Sequence, residues 1–450
     1  MSNTLKGIST LISSVIVYMI CGGMFTWSNI NNYYTSYLRL HDSPNMSLVD
    51  GLFLMPLISL VNTGFGPIGT ILESYVGTKV IILLCLITNV ITNFILLNFT
   101  KLQYIYLAMV CNGIYVGLIW VPLMKNCWLY FPNKKGIISG LNLFSYGFSA
   151  LIFTSLADKI INPNLLNPNS ETGLFDKEVA ERTYLFLKYQ AIIMFIGLVI
   201  ALLLEFDYKE EEKEEKSNEL EMKEQLNVDD NNKKEEIIIK NPVAQAYTNY
   251  KVYQIIIMNF NTMVFCMMIS NVNRTFGQLY QIDAAFLSNL SRVYFLCNGF
   301  GRLIWGILFD RFSFKFLYGI CIFSKLLVSA TIFYAVKIPL IYGIEVCLCA
   351  IVLGGNVCLI MTLYPKIYGI KTSALISSIG NAFGGLASMS SPILAKIIVK
   401  EKSDYKYLFW LGTCLGLITL GILISFKETK FVFKEEQNGN ELKEQELNEK

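Results

Sequence analysis

The sequence is poor in the residues that metal sites and most enzyme active sites use. Its 450 residues include a single histidine, His41, and only 16% of them are charged. Zinc sites need histidine, cysteine and carboxylate ligands at short, regular spacings, and the sequence has no such cluster. Hydrolase motifs such as H-E-x-x-H and G-x-S-x-G are also missing. We therefore expect neither an enzyme nor a bound cofactor or metal.

Two further classes are excluded by what the chain lacks. The eleven cysteines stand apart from one another in apolar stretches, where a thiol behaves as a small hydrophobic group and not as part of a disulfide framework. The formal net charge is only +3, and no basic stripe interleaved with aromatic residues occurs. Nucleic acid is therefore not an expected partner.

Long apolar runs fill most of the chain. Hydrophobic residues make up 54% of it, the mean hydropathy is +0.48, and charged residues concentrate in 206–250 and near the end. A helix needs about 20 apolar residues to cross a bilayer. The sequence predicts twelve such helices, near 9–36, 49–72, 78–98, 102–124, 136–158, 184–205, 252–273, 286–309, 315–337, 339–362, 372–398 and 405–426. We interpret the first as a retained membrane helix and not as a removable signal.

A mixed-charge segment divides these helices into six and six. It has no hydrophobic period and cannot bury enough apolar surface to fold by itself. The predicted organisation is a six-helix bundle in 1–205, a disordered cytoplasmic linker in 206–250, a second bundle in 251–428 and a cytoplasmic tail in 429–450. An even helix count places both termini and the linker on one side of the membrane, which we expect to be the cytoplasmic side. The membrane is expected to be the plasma membrane or that of an organelle.

The sharpest motif runs from Asn298 to Lys315, out of the eighth helix into the following loop. Gly306 and Asp310, four residues apart, share a helix face, so a neighbouring helix can approach while the carboxylate meets a basic group or a helix N-terminus. With Arg311 and Lys315 the segment resembles the G-x-x-x-D-R-x-[GS]-x-[RK] signature of the major facilitator superfamily. A degenerate copy lies at the equivalent place of the first half, at Gly69, Glu73, Gly77 and Lys79, so we predict an internal repeat and a gating role for both.

Two other segments narrow the resemblance. Trp128 to Gly140 contains Phe131-Pro132-Asn133-Lys134-Lys135-Gly136 between the fourth and fifth helices, and Gly22-Gly23-Met-Phe-Thr-Trp27-Ser28 lies on the first. With the Asn298 to Gly306 segment, these resemble the oxalate:formate antiporter group and the related monocarboxylate transporters. The resemblance implies an all-α integral membrane protein in which two pseudo-symmetric bundles of six helices enclose a central site.

The eighth helix carries the principal candidate for anion recognition. Arg302 lies about 12 Å before Asp310 along the predicted eighth helix, deep enough that a charge needs a partner, and a guanidinium can bind a carboxylate through two hydrogen bonds. The resemblance assigns an arginine at this position to substrate recognition. Arg292 is predicted nearer the outer mouth, on nearly the same face, where monocarboxylate transporters carry a carboxylate. The first helix also lacks their lysine, and both departures argue against proton coupling through the usual residues. The eleventh helix lacks the second cation of the oxalate antiporter, which argues against oxalate.

Lys325 and Glu345 are the other charges predicted deep in the membrane. An interhelical ion pair is one interpretation. Alternatively, Glu345 is a protonatable coupling group, because burial raises the pKa of a carboxylate.

Polar and aromatic residues are predicted to complete the cavity wall, although each by itself is more typical of helix packing. They are Trp27, Asn31, Tyr34, Tyr115, Asn142, Tyr146, Asn259, Asn356 and Asn381. The expected function is transport of a small organic anion, most simply a monocarboxylate, with a proton co-transported or an anion exchanged. Two alternatives stay open: a transporter of zwitterions that uses Glu345 for the amine, and a membrane sensor that has lost transport.

Overall fold

The computed structural model describes residues 2–46, 51, 54–164, 166, 168–169, 174–209 and 242–433, and regular structure in these residues is helical throughout. The helices are α1 Asn3–Gly22, α2 Thr26–Leu40, α3 Leu54–Val76, α4 Thr78–Asn98, α5 Leu102–Tyr130, α6 Lys135–Ile161, α7 Lys177–Leu204, α8 Pro242–Tyr247, α9 Tyr250–Leu279, α10 Ala284–Phe309, α11 Phe314–Ala335, α12 Pro339–Tyr368, α13 Ile370–Ile398 and α14 Tyr405–Ser425.

These helices provide the twelve predicted membrane crossings. A 3₁₀ turn, Gly23–Phe25, joins α1 and α2 into the first crossing. Within the described residues, nine spans are long and apolar enough to cross a membrane. The other three crossings are α3, α10 and α13, of 23, 26 and 29 residues, which pack among them.

The helices extend past the apolar runs that predicted them. The sixth crossing begins at Lys177, against a prediction of 184, and the tenth ends at Tyr368, against 362. An apolar run marks only the part of a helix inside hydrocarbon, whereas the helix continues into the polar interface. Local signals set the residue at which a helix begins. The Asp283 side chain accepts from Phe286 N at the start of α10, and Pro339 begins α12.

The crossings form two bundles, α1–α7 and α9–α14. The bundles meet along two seams, where α6 packs on α10 and α3 packs on α13. We call the end of the molecule that carries residues 205–209 and 242–250 the linker end, and the opposite end, with the α9–α10 turn, the mouth end. The two seams place residues of both halves around the long axis of the molecule.

The described parts of the predicted linker are packed on the bundles. Asp207 Oδ1 accepts from the backbone N–H groups of Thr78 (2.6 Å) and Lys79 (3.2 Å), so this carboxylate caps α4. Tyr208 N donates to Asn126 Oδ1 (3.1 Å), and the short helix α8 precedes α9. The prediction of disorder holds for neither of these ends, and 210–241 lie outside the described residues.

Candidate functional site

A cavity of about 680 Å³ lies between the two bundles. It extends from the middle of the helices towards the mouth end, and α3, α9, α10 and α13 supply most of its wall. Its lining contains six methionines (Met24, Met55, Met263, Met267, Met361 and Met389), six asparagines (Asn62, Asn259, Asn271, Asn273, Asn298 and Asn381) and two arginines (Arg274 and Arg302). No acidic side chain contributes to the lining among the described residues. The cavity therefore carries positive charge on a mixed polar and apolar wall.

Arg302 lies in the wall of this cavity and is only 5% exposed. Its Nε donates to Asn298 Oδ1 one turn earlier (2.9 Å), and Nη1 donates to the Leu143 carbonyl of α6 (3.1 Å). Gly147 of α6 lies beside the guanidinium, where a Cβ would be in van der Waals contact with Cζ of Arg302 at 3.6 Å. A guanidinium has five N–H donors, so two bonds to the protein leave donors for a ligand.

Aromatic side chains of the first half surround this guanidinium. Cζ of Arg302 lies 5.6 Å from the ring centroid of Tyr146, a cation–π contact. The Tyr146 ring packs edge-on against Trp120 (4.6 Å between centroids) and Phe25 (5.0 Å), and its hydroxyl contacts Met24 Sδ at 3.0 Å. The cation of the second half thus faces an apolar wall of the first half.

The linker end is closed by contacts between the halves. Asp310, at the end of α10, accepts hydrogen bonds from Gly136 N (2.8 Å) and Ile137 N (2.9 Å) in the first turn of α6. The sequence predicted a basic group or a helix N-terminus as the partner of this carboxylate. The N-terminus of the neighbouring helix is the partner observed, and Arg311 is exposed. The α3–α13 seam is closed by a hydrogen bond of 2.7 Å between the Thr70 and Ser378 hydroxyls.

The first-half copy of the motif makes its contacts within its own half. Glu73 Oε2 pairs with Lys125 Nζ of α5 (2.6 Å). Gly69 packs on the backbone of Leu118, and Gly77 has a φ of +82°, which favours glycine between α3 and α4. The Lys79 backbone is capped by Asp207, as described above. In the second half, Lys315 Nζ donates to Ile424 O (2.6 Å), again within one bundle.

Lys325 and Glu345 do not pair with each other, which corrects the ion-pair interpretation. Lys325 is 1% exposed, and its Nζ donates to the Asn261 carbonyl of α9 (2.9 Å). Glu345 Oε1 accepts from Thr331 Oγ1 (2.8 Å) of α11. Helix depth alone suggested the pair, but the side chains leave α11 and α12 in different directions. Neither residue lines the cavity.

The structure brings together four of the eleven predicted substrate-binding residues: Arg302, Tyr146, Asn259 and Asn381 all line the cavity. Six others are buried between helices outside it: Trp27, Asn31, Tyr34, Tyr115, Asn142 and Asn356. Trp27 packs edge-on against Tyr34, for example, and Asn356 bridges Asn259 Oδ1 (2.8 Å) and the Tyr318 hydroxyl (2.7 Å). These six fill the packing role that polar groups commonly have between membrane helices.

Arg292 also lies outside the cavity, and its placement needs correction. It is exposed, and its Nη1 donates to Asn289 Oδ1 (3.3 Å) on its own helix. At about 100° per residue, ten residues place Arg292 roughly 80° away from Arg302 around the helix. Ser291, Tyr294 and Asn298 occupy the cavity face instead.

Sequence reasoning missed several polar residues of the cavity, among them Asn298 and Arg274. Asn298 could have been found, because a residue four positions before Arg302 lies directly beneath its side chain on a helix. Arg274 stands close to the end of its helix, where a cation is ordinary and carries no signal. Only the packing of α9 against the cavity singles it out.

Comparison with known proteins agrees with this architecture. The model of the Major Facilitator Superfamily matches residues 254–447. The crystal structure of the proton:xylose symporter XylE, bound to 6-bromo-6-deoxy-D-glucose, superimposes with a TM-score of 0.65 at 14% identity, covering 95% of this chain and 97% of that one. The chain has the major facilitator fold. The family model covers the second half of the chain, and the superposition shows the same fold over nearly all of it.

Two curated relatives match the chain at low sequence identity. An uncharacterized major facilitator transporter of Escherichia coli K12, YhjX, is 23% identical over 370 residues, 81% of each chain. Apicoplast pyruvate carrier 1 of Toxoplasma gondii is 21% identical over 198 residues, 36% of each chain. These matches and the apolar helices agree with a multi-pass membrane protein that has the major facilitator fold.

Proposed function

We propose that this protein transports a small organic anion, a monocarboxylate, by alternating access, with Arg302 as the anion anchor. The observation that carries the proposal is the position of Arg302, a buried cation in the wall of a central cavity whose described lining contains no carboxylate. A buried charge is costly unless it is paired, and a substrate carboxylate offers the guanidinium a planar pair of charge-assisted hydrogen bonds.

The contacts around Arg302 also suggest how binding couples to movement. Its guanidinium belongs to the second half but donates to Leu143 O and rests on Tyr146, both of the first half. A carboxylate that binds the remaining donors of Arg302 therefore lies at a contact between the halves, and a bound anion with an apolar body touches both halves at once. Rocking of the two bundles around such a site is the mode of transport expected of this architecture.

Two further considerations favour a monocarboxylate. The cavity has one deep cation, which matches one carboxylate, and its methionine-rich wall accommodates an apolar body. The partial match to a protein named as a pyruvate carrier points to the same class of solute. In this proposal the termini and the linker end face the cytoplasm, and the cavity faces the opposite side.

Substitution of Arg302 tests the proposal. Arg302→Lys keeps the charge but loses the fork, so we expect the KM for a transported monocarboxylate to rise about tenfold, equivalent to about 1.4 kcal/mol. Arg302→Ala should abolish uptake without removing the protein from the membrane. The measurement is the initial rate of uptake into proteoliposomes of labelled lactate, pyruvate, formate, oxalate and amino acids, with and without a proton gradient, normalised to inserted protein.

Arg292→Ala is the matched control, because Arg292 lies on the same helix but outside the cavity. It should transport at the wild-type rate. Near-normal uptake by Arg302→Ala, or an equal loss in Arg292→Ala, would reject Arg302 as the anchor. Uptake of amino acids without uptake of any monocarboxylate would reject the substrate class.

A further inference from the structure

The cavity contains a second cation, Arg274, to which neither the motifs nor the comparisons assign a role. Arg274 lies on α9, five residues before its end at Leu279, and its exposed side chain lines the cavity near the mouth end. Among the described residues its guanidinium has no carboxylate partner and makes no hydrogen bond. It is therefore a positive charge that faces the open part of the cavity.

The depth of Arg274 separates it from the deep anchor. Arg302 lies 18 residues after the start of α10 at Ala284, about 27 Å along the helix, whereas Arg274 lies only about 8 Å from the mouth end of α9. The two backbone positions thus differ in depth by about 20 Å. The two arginines therefore occupy different depths of the cavity and do not belong to one binding site.

The two side chains nevertheless lean towards each other. Side chains on a helix point towards its N-terminus, and α9 and α10 run in opposite directions. Arg302 accordingly points towards the mouth, as its bond to Asn298 Oδ1 shows, and the same rule directs Arg274 into the cavity. Polar lining residues occupy the interval between them: Ser270, Ser291 and Asn298.

We infer that Arg274 forms an outer anion subsite, which captures the substrate carboxylate at the mouth and passes it to Arg302. This inference rests on the proposed function, since it assumes that the solute is an anion. A cleft with low-dielectric walls and charge of one sign focuses the field and raises the rate at which oppositely charged solutes bind. The outer subsite acts on capture, whereas Arg302 holds the anion during the conformational change.

The test is the salt dependence of pyruvate uptake by Arg274→Gln, Arg274→Lys and wild-type protein in proteoliposomes. In Arg274→Gln we expect the KM at 10 mM ionic strength to rise on the order of threefold or more, with Vmax unchanged. The difference from wild type should shrink at about 0.3 M salt, where charges are screened within several Å. Arg274→Lys should restore most of the loss, because steering needs the charge and not the fork.

Arg292→Gln provides the control, as it removes an arginine from the same end of the molecule but outside the cavity. It should leave the KM unchanged at both ionic strengths. A wild-type KM for Arg274→Gln at low salt, or an equal rise in Arg292→Gln, would overturn the outer subsite while leaving the Arg302 proposal intact. Failure of wild-type protein to take up any monocarboxylate would instead overturn the proposed function and this inference together.

Discussion

Arg302 shows how one buried charge can be stabilised by the protein and still be available to a ligand. The Leu143 carbonyl, the Asn298 amide oxygen and the Tyr146 ring offset part of the cost of burying the guanidinium. Lys325 is different, because its single carbonyl partner lies between helices and away from the cavity. The two cations have similar burial but different access, and access decides which of them can serve transport.

Glu205 is a buried carboxyl at the linker end, directly after α7. Its Oε1 accepts from Asn126 Nδ2 (2.7 Å), and Oε2 has no partner among the described residues. Burial raises the pKa of Glu205 from 4.5 to about 8, with Asp207 adding to the rise and Lys79 opposing it. A folded pKa above the unfolded one means that stability is lost as the pH rises from about 4.5 towards 8.

Glu205→Gln should remove this pH dependence, because glutamine keeps the bond to Asn126 and cannot ionise. We expect the thermal stability of the variant to exceed that of wild type at pH 8.5 and to match it near pH 5, measured by unfolding in detergent. Glu178→Gln is the control, since Glu178 is exposed at the other end of α7. Equal pH slopes in wild type and Glu205→Gln would contradict the assignment.

At the scale of elements, the α6–α10 seam depends on glycine. Gly136 and Gly140 of α6 face Gly306 of α10, and a Cβ on Gly306 would lie 2.4 Å from Gly136 O and 2.8 Å from Gly140 Cα. All three glycines belong to the motifs found in the sequence. The spacing of small residues therefore permits backbone contact between the two halves, as it does in other close helix pairs in membranes.

Gly306→Ala should force α6 and α10 apart at the linker end. We expect reduced uptake and a loss of stability on the order of 1–3 kcal/mol, because the added methyl group meets backbone and not a flexible side chain. The control is Gly421→Ala on α14, where a Cβ would meet nothing within 4 Å. Wild-type uptake and stability in both variants would show that the seam tolerates the extra volume.

At the scale of the molecule, the two signature copies are not equivalent. Asp310 of the second half caps α6 of the first, whereas Glu73 of the first half pairs with Lys125 of its own bundle. The Asp310 contact is therefore one of the hydrogen-bonded contacts between the halves that close the linker end while the cavity is open at the mouth. The two copies of the motif thus make different kinds of contact, one between the halves and one within a half.

Asp310→Asn should weaken this closure, because an amide offers one acceptor oxygen and no charge to the N-terminus of α6. We expect the equilibrium to shift by about 1 kcal/mol, roughly fivefold, away from the state with an open mouth. The measurement is the labelling rate of Ser291→Cys by a membrane-impermeant maleimide, with the exposed Cys414 replaced by serine. Asp283→Asn, at the opposite end of α10, should label at the unaltered rate, and so should Asp310→Asn if the contact does not hold the gate.

The sequence by itself determined the twelve crossings, the division into halves and the placement of the signature motifs. These features follow from local composition, because a bilayer demands about 20 apolar residues per helix and glycine with a terminal carboxylate marks close helix packing. Arg302 could also be predicted from sequence to line the cavity, since a charge deep in an apolar run needs a partner.

Only the tertiary structure decided which side chains face the cavity. Arg292 and Arg302 share a helix, yet 80° of rotation separates the exposed arginine from the buried one. Lys325 and Glu345 lie on adjacent crossings, yet each bonds to a different neighbour. Arg274 has no sequence signal and lines the mouth only because α9 packs between α12 and α13. Helix rotation and helix neighbours depend on contacts between residues far apart in the chain, and local sequence patterns do not encode them.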